Sequence, residues 1–524
     1  MRPIKHLARG LLTAMLLLPL AVQAAEVRIG VRTDTDSIDP HFHHYAPSVA
    51  TGRHVFDALI LQDAGMALRP GLALSWKPIA EDLWEFKLRP GVTFHDGTPF
   101  TADDVIFSIQ RVPNVPNSPS SFAMSVKAIQ EVRAIDPLTI QIRTHGAAPM
   151  LPYDLCTVAI LSRHAAEGKS TSDFNHGTAA IGTGPYKFVE WVPADHLTLA
   201  RNPTYWGGAQ PWDRVIFKPI ANDGARVAAL LSGDVDMIDS VPVNDRQRLL
   251  EDKKLSVFER DSIRLIYIML DSARDTTPGV SDRDGKPLDR NPLKDLRVRQ
   301  AISHAINRQA LTQRLLSGQG KPAGDVVPAG VFGANPNLKP PAFDLKLANS
   351  LMEQAGYKGG LGVTIAASND RYPKDAEASQ AVAQMLARIG IKAQVDSMPA
   401  AILYSRGSKL EFSVFMAGWI ADSGEASSSL VSLLATYDAA KGMGPSNRGR
   451  YSSAAFDNTL AEALHTLDDK KRAALLGKAT EIAMNDVGLI PLYFLVNTWA
   501  ARKGLVYEAR ADELTLAIGL RPAK

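Results

Sequence analysis

Cysteine is nearly absent from this chain: Cys156 is the only one in 524 residues. With no second thiol, no intrachain disulfide can brace the fold, and Cys156 is expected to pack as a small buried hydrophobe. Excess charge of one sign is missing too. The chain carries 58 Lys and Arg against 55 Asp and Glu, and setting aside residues 1–24, which hold three basic residues and no acid, leaves 55 of each. Nucleic acid or an anionic membrane would call for a basic stripe, and none is visible, so neither is expected as a partner. Catalytic signatures are lacking: there is no G-x-S-x-G, H-E-x-x-H, C-x-x-C or G-x-x-x-x-G-K-[ST]. An enzyme is therefore not expected, and neither is direct ATP binding; a secreted hydrolase with an unfamiliar site is a distant alternative. There is no 20–50-residue repeat and no long low-complexity tract. The apolar run Leu11–Val22 is too short for a comfortable membrane span and contains Pro19. Arg2, Lys5 and Arg9 precede it, and Val22-Gln23-Ala24 offers small residues at a cleavage site. A cleavable export signal over residues 1–24 is thus expected. No cysteine follows it directly, which argues against a lipoprotein.

What remains is ample for large cores. About 500 residues with 45% hydrophobic content exceed a typical domain, so two lobes, or two lobes and a subdomain, are expected. Val27–Val31 reads as a short strand, and Pro113–Ser121 as a loop. Leu138–Ile142 alternates apolar and polar, and Lys187–Trp191 is a strand fed by the Gly182–Tyr186 turn. Ile216–Ile220 leads into a helix over Ala225–Leu231 that Gly233 should end. Ile263–Leu270 and Ile490–Val496 are long apolar strands that suit paired crossings between lobes. Between them, Val298, Ile302, Ala305, Ile306 and Leu311 recur at helical spacing, as do Leu347, Leu351 and Ala355 before Gly356. Val382, Met385, Leu386 and Ile389 form a third stripe that stops at Gly390 and passes into strand Ile391–Val395. Helix, glycine, strand is an α/β rhythm.

The most informative stretch is Leu68–Ile109. Trp84–Leu88 alternates as a half-buried strand, Pro90-Gly91 ends it, and Val92-Thr93-Phe94 starts the next. His95-Asp96-Gly97-Thr98-Pro99 is a tight turn, and Thr101 with Asp104 can form a capping box for a helix. As a string, LRPGLALSWKPIAEDLWEFKLRPGVTFHDGTPFTADDVIFSI resembles the signature of the bacterial extracellular solute-binding proteins of family 5, the peptide-binding subunits of ABC importers. GTGPYKFVEW (182–191), NPTYWGG (202–208), AALLSGDVDM (228–237), NPLKDLRVRQAISHAINR (291–308), ANSLMEQAGY (348–357) and IPLY (490–493) look like further motifs of that family, in its order. The resemblance implies an α/β, bilobal periplasmic binding protein of the "Venus flytrap" kind, type II or cluster C-like, with an extra subdomain in the first lobe. It implies lobe I over 25–58, 181–268 and 491–524, the subdomain over 59–180, and lobe II over 269–490. It also implies a periplasmic receptor without cofactor or metal that encloses a short peptide between its lobes. Its partners would then be the permease subunits of an ABC transporter in the inner membrane, and a monomer is expected.

Gly418-Trp419-Ile420-Ala421-Asp422 follows the apolar strand Phe412–Met416, and ligands of α/β lobes bind at strand ends. A desolvated Asp422 would make a charge-assisted bond to a ligand ammonium. The resemblance implies the same role, because in peptide-binding members the aspartate of a similar Trp-x-x-Asp segment grips the peptide N-terminus. Asp422 could equally cap the next helix. Ser423–Ser427 lacks the proline or Asp-Pro usual in the family at this point. That keeps open a non-peptide solute: an opine, an amino-acid conjugate, a nickel or other metal chelate, or a sugar. Arg371 lies between a strand and a helix and suits bidentate capture of a carboxylate, with solvated surface as the alternative. His41, His43 and His44 form the only histidine cluster, after Asp39-Pro40. They read as ligand-lining side chains, as ordinary loop packing, or as a weak metal signal.

Overall fold

The computed structural model describes residues 25–523, so the expected export signal lies outside the described residues. Among these, twelve strands make one mixed sheet. Its middle is the antiparallel pair Leu255–Leu270 and Ile490–Arg502, which contains both apolar runs read as crossings. The first strand starts ahead of its apolar run because its early half borders water at Glu259 and Arg260. From Ser262 onward every residue is buried. At that change of environment the register slips: Ser262, Ile263 and Arg264 lie between the pairs Asp261–Val496 and Leu265–Phe494, opposite Leu495 alone. Such a bulge bends the strand and re-aims its side chains.

From this pair the sheet grows two ways. On one side Met237–Ile238 pairs with Ala500 and Ala501, followed by the parallel strands Glu26–Val31 and Arg214–Pro219, then His196–Arg201 and Tyr186–Val192. On the other, Val414–Ile420 runs antiparallel to Arg264–Leu270, and Leu361–Ser368 and Ile391–Met398 continue in parallel. The two wings bury different cores. Val27, Ile29, Tyr186, Val215 and Trp499 belong to one; Ile268, Ile302, Ile365, Leu386 and Ile490 belong to the other. A separate four-stranded antiparallel sheet holds Ala73–Ala80, Leu83–Leu88, Thr139–Thr144 and Ile129–Asp136. Phe86, Ile140 and Ile142 pack there against Val105 of the helix Ala102–Arg111. That helix opens with the expected capping box, the Thr101 backbone N–H donating to the Asp104 carboxylate at 2.9 Å.

Several recurrent motifs turn out to be braces. His95 donates from Nε2 to the Gly184 carbonyl at 3.0 Å and accepts the Gly182 N–H at its Nδ1, tying HDG to GTGPY. Asp57 takes bonds from Thr183 at 2.9 Å, from Tyr205, and from the Trp206 indole at 2.7 Å, tying GTGPY to NPTYWGG. The backbone of Val55 runs so close that a Cβ at Gly182 would stand 1.9 Å from its carbonyl oxygen. Arg308 is buried and donates to the Pro491 carbonyl at 2.7 Å, joining NPLKDLRVRQAISHAINR to IPLY.

Some local expectations are corrected. Val92–Phe94 forms no strand, only a bridge from Thr93 to Pro99, because the tight turn leaves no length for a ladder. The stripe through Leu311 is not one helix: Leu296–Ala305 ends at Ile306, and Asn307 caps a new turn with its side chain. In Leu345–Gln354 the buried face is Ala348 and Met352, while Leu347 is 40% exposed. The strand predicted to stop at Met416 continues to Ile420, taking Gly418 and Trp419 into the sheet.

Candidate functional site

A cavity of about 810 Å³ opens where strand ends from both wings converge. Glu26–Val31 delivers Arg32–Thr35 to it, Leu361–Ser368 delivers Asn369–Asp375, and Val414–Ile420 delivers Asp422. All three leave by the carboxyl end of a strand that has a parallel neighbour, which is where α/β sheets leave an open crevice. The helix Ala46–Val55 and the late segment Asp512–Thr515 complete the wall.

Much of the charge in the wall is already spent on the protein itself. The bulge turns Arg264 toward Glu513, which accepts two bonds of 2.7 Å from it. Burial works against the Arg264 charge, but the Glu513 carboxylate outweighs it and holds the guanidinium above its ordinary value. Asp512 is bridged by Arg510 at 2.6 Å and Arg53 at 3.1 Å. Burial would raise its pKa, yet the two arginines keep it below the usual carboxylate range. Asp375 is committed to the Ser368 hydroxyl and to the N–H groups of Arg371 and Tyr372. His54, also in the wall, donates from Nδ1 to Ala50 and accepts the Ala517 N–H, so both nitrogens are occupied and the ring is neutral.

Asp422 and Arg371 are different. Asp422 does not cap the next helix; Glu425 does so, accepting from the Ser427 N–H. The Asp422 side chain is 48% exposed, with His44 Nε2 as its nearest basic group at 3.7 Å. Arg371 is exposed in the same wall, its guanidinium 5.8 Å from the Tyr372 ring centre, and among the described residues it pairs with no carboxylate. The cavity therefore presents a carboxylate and a guanidinium that the fold does not consume.

The other residues singled out from sequence lie elsewhere. Trp419 packs half-buried on the second wing and its indole N–H finds no partner among the described residues. Gly418 has an indirect part: its carbonyl accepts from the Tyr372 hydroxyl at 3.2 Å, and a Cβ there would stand 2.7 Å from that ring. Neither His41 nor His43 is part of the cavity wall. His41 is fully buried beside the Asp39–Arg111 pair and donates from Nε2 to the Ala159 carbonyl at 2.8 Å. Burial, then the Arg111 charge, push its pKa down to about 4. His43 is held by Asp36 and stacks on Tyr45, leaving His44 as the cluster member in the wall. Sequence reasoning missed Arg264 and Glu513, which are 249 positions apart and meet only through the bulge.

Known proteins share this architecture. A sequence model of the bacterial extracellular solute-binding proteins, family 5 Middle, matches residues 67–441. The glutathione-binding protein GsiB of Escherichia coli K12 is 30% identical over 497 residues, 93% of this chain and 92% of that protein. Two solved structures superpose over nearly the whole chain. HbpA2 from Haemophilus parasuis has a TM-score of 0.82 at 24% identity, covering 95% of this chain and all of that one. DppA from Helicobacter pylori, in complex with the peptide STSA, has a TM-score of 0.75 at 26% identity, covering 96% and 99%. With these matches the fold is that of a bilobal periplasmic binding protein, and the chain belongs to the bacterial extracellular solute-binding proteins of family 5.

Proposed function

We propose that this chain is a periplasmic receptor of an ABC importer, capturing a short peptide or peptide-like solute and delivering it to the membrane permease. The observation that carries the reading is the uncommitted pair Asp422 and Arg371 in one cavity wall. A peptide zwitterion offers the complementary ammonium and carboxylate, and each pairing would be a charge-assisted bond, Arg371 with the further advantage of a two-pronged grip. About 810 Å³ is room for a di- or tripeptide rather than a long chain. The relatives point the same way: one is named for glutathione, a tripeptide, and another was solved with a four-residue peptide. Closure would proceed by the lobes, lobe I and its subdomain (25–268 and 491–524) folding onto lobe II (269–490), with the solute bridging them.

Calorimetry with a panel of di- and tripeptides and glutathione tests this. Asp422→Asn should weaken the best binder by about 1.5–3 kcal/mol, roughly 10- to 150-fold, without lowering the melting temperature. Unchanged affinity would remove Asp422 from the site. Turnover of the peptides instead of stoichiometric retention would overturn the receptor reading.

A further inference from the structure

Six arginines are buried among the described residues, and a charge held there costs free energy unless an opposite charge meets it. Four of them have a carboxylate in direct contact: Arg226 with Asp223, Arg264 with Glu513, Arg472 with Glu425, and Arg510 with Asp512. Arg299 feels the carboxylates of Asp486 and Asp295. Arg308, only 3% exposed, has no acid near it, and burial alone pulls its pKa down to about 10. Its partners are neutral. It donates to the carbonyls of Pro491 at 2.7 Å and Ser303 at 3.0 Å, with longer contacts of 3.4 Å to those of Ile306 and Pro341. The nitrogen that donates to the Ser303 hydroxyl at 3.0 Å carries a second N–H, which has no partner among the described residues.

This guanidinium lines a second pocket, of about 400 Å³, which shares no residue with the cavity that holds Asp422 and Arg371. Among the described residues no acid forms part of its wall. Asn307 beside Arg308 gives its side-chain oxygen to the Ala310 N–H at 2.9 Å, so only its amide N–H groups remain to offer a ligand. The opposite side is flat and apolar, built of Pro340, Pro341 and Phe343, the last 39% exposed. That side is also rigid. The backbone leading into Pro340 crosses Gly324 so closely that a Cβ there would stand 2.3 Å from the Lys339 carbonyl carbon. An unmatched positive charge, a second donor and a flat apolar plate thus face one space.

We infer that this pocket is a second binding site, for a small carboxylate that carries a flat ring. The carboxylate meets Arg308 and the Asn307 amide, and the ring lies against Pro340, Pro341 and Phe343. The ligand then supplies the charge that the fold withholds from Arg308, and its bond to the guanidinium is charge-assisted. Nothing in this depends on what the larger cavity captures, since the two share no residue. Calorimetry with benzoate on the intact protein tests it. Wild type should take up one benzoate, and benzamide, neutral but of the same shape, should bind about tenfold more weakly or worse. Arg308 braces the strand Ile490–Arg502, so the variants leave it in place. Asn307→Asp keeps an oxygen for the Ala310 N–H but sets an anion where the amide donated. It should weaken benzoate by about tenfold or more at an unchanged melting temperature. Phe343→Ala removes an exposed ring and should weaken benzoate by about fivefold. The site is overturned if benzoate gives no saturable heat with wild type, if benzamide binds as tightly, or if either variant binds benzoate like wild type.

Discussion

Three histidines of this chain are kept uncharged by burial, and each is a peg rather than a switch. His41, His54 and His95 all have pKa values pushed down to about 4, in each case chiefly by burial. Each donates to a backbone carbonyl, respectively Ala159, Ala50 and Gly184. The unfolded chain takes up a proton on each near pH 6.5 while the folded chain refuses it until about pH 4. Between those values the unfolded state holds more protons, so stability must rise with pH and be lost as pH falls. Each histidine contributes about 1.4 kcal/mol per pH unit inside that window. Scanning calorimetry should show the melting temperature of wild type dropping steeply from pH 6.5 to 4, and His54→Gln should flatten that slope by about one proton. An unaltered slope would mean that His54 protonates freely in the folded protein. At this scale the sequence was a partial guide. The positions of Asp422 and Arg371 at the cavity were legible because each stands just past an apolar strand. The histidine cluster was not, since residues 40–42 turn, His43 makes only an isolated bridge to Ser120, and no alternation sorts inward from outward.

Among the elements, the α/β units were legible and the irregular joints were not. The helix Asp375–Ala387, Gly390 at φ +81° and the strand Ile391–Met398 follow directly from periodicity and a left-handed stop. The bulge at Ser262–Arg264 was not legible, because Ile263–Leu270 reads as one buried strand in which Arg264 is a mere interruption of the apolar run and says nothing of register. The motif glycines are legible only as punctuation; the reason for them is the neighbouring backbone. Gly182→Ala would drive a methyl into the Val55 carbonyl, and Gly184→Ala would place one 2.6 Å from that of His54. Backbone cannot yield as a side chain does, so each should cost about 3 kcal/mol or more, read as a lower urea midpoint. Gly91→Ala is a useful contrast: nothing lies within 4 Å of its Cβ position, but its φ of +73° makes backbone strain the sole penalty.

For the whole molecule, the central strand pair couples the wings. Leu255 and Ala500 are buried in the core formed with the helix Asp223–Ser232, while Ile268 and Ile490 of the same two strands are buried in the second wing. Neither wing completes its sheet without strands that the other also owns. Unfolding in urea should therefore be a single event even though the cores are distinct. Two probes separate the wings: six of the seven tryptophans lie outside residues 269–490, whereas the helices Leu296–Ala305, Asp375–Ala387, Ala454–His465 and Asp469–Asn485 lie inside. Fluorescence and far-UV circular dichroism should give coincident midpoints; a gap between them would show that each half melts alone. The number of lobes was suggested by length and named by the resemblance, but their shared spine was not, because strand order is a long-range property.

One wall of the chamber is Asp512–Thr515, a segment remote in sequence from the strands that deliver the rest of the lining. Without Glu513 the Arg264 guanidinium would stand in that wall with its two carboxylate bonds lost. The chamber wall is consequently finished only once Glu513 has docked against the bulge, a junction that ties the strand Leu255–Leu270 to a segment folding against it from far along the chain.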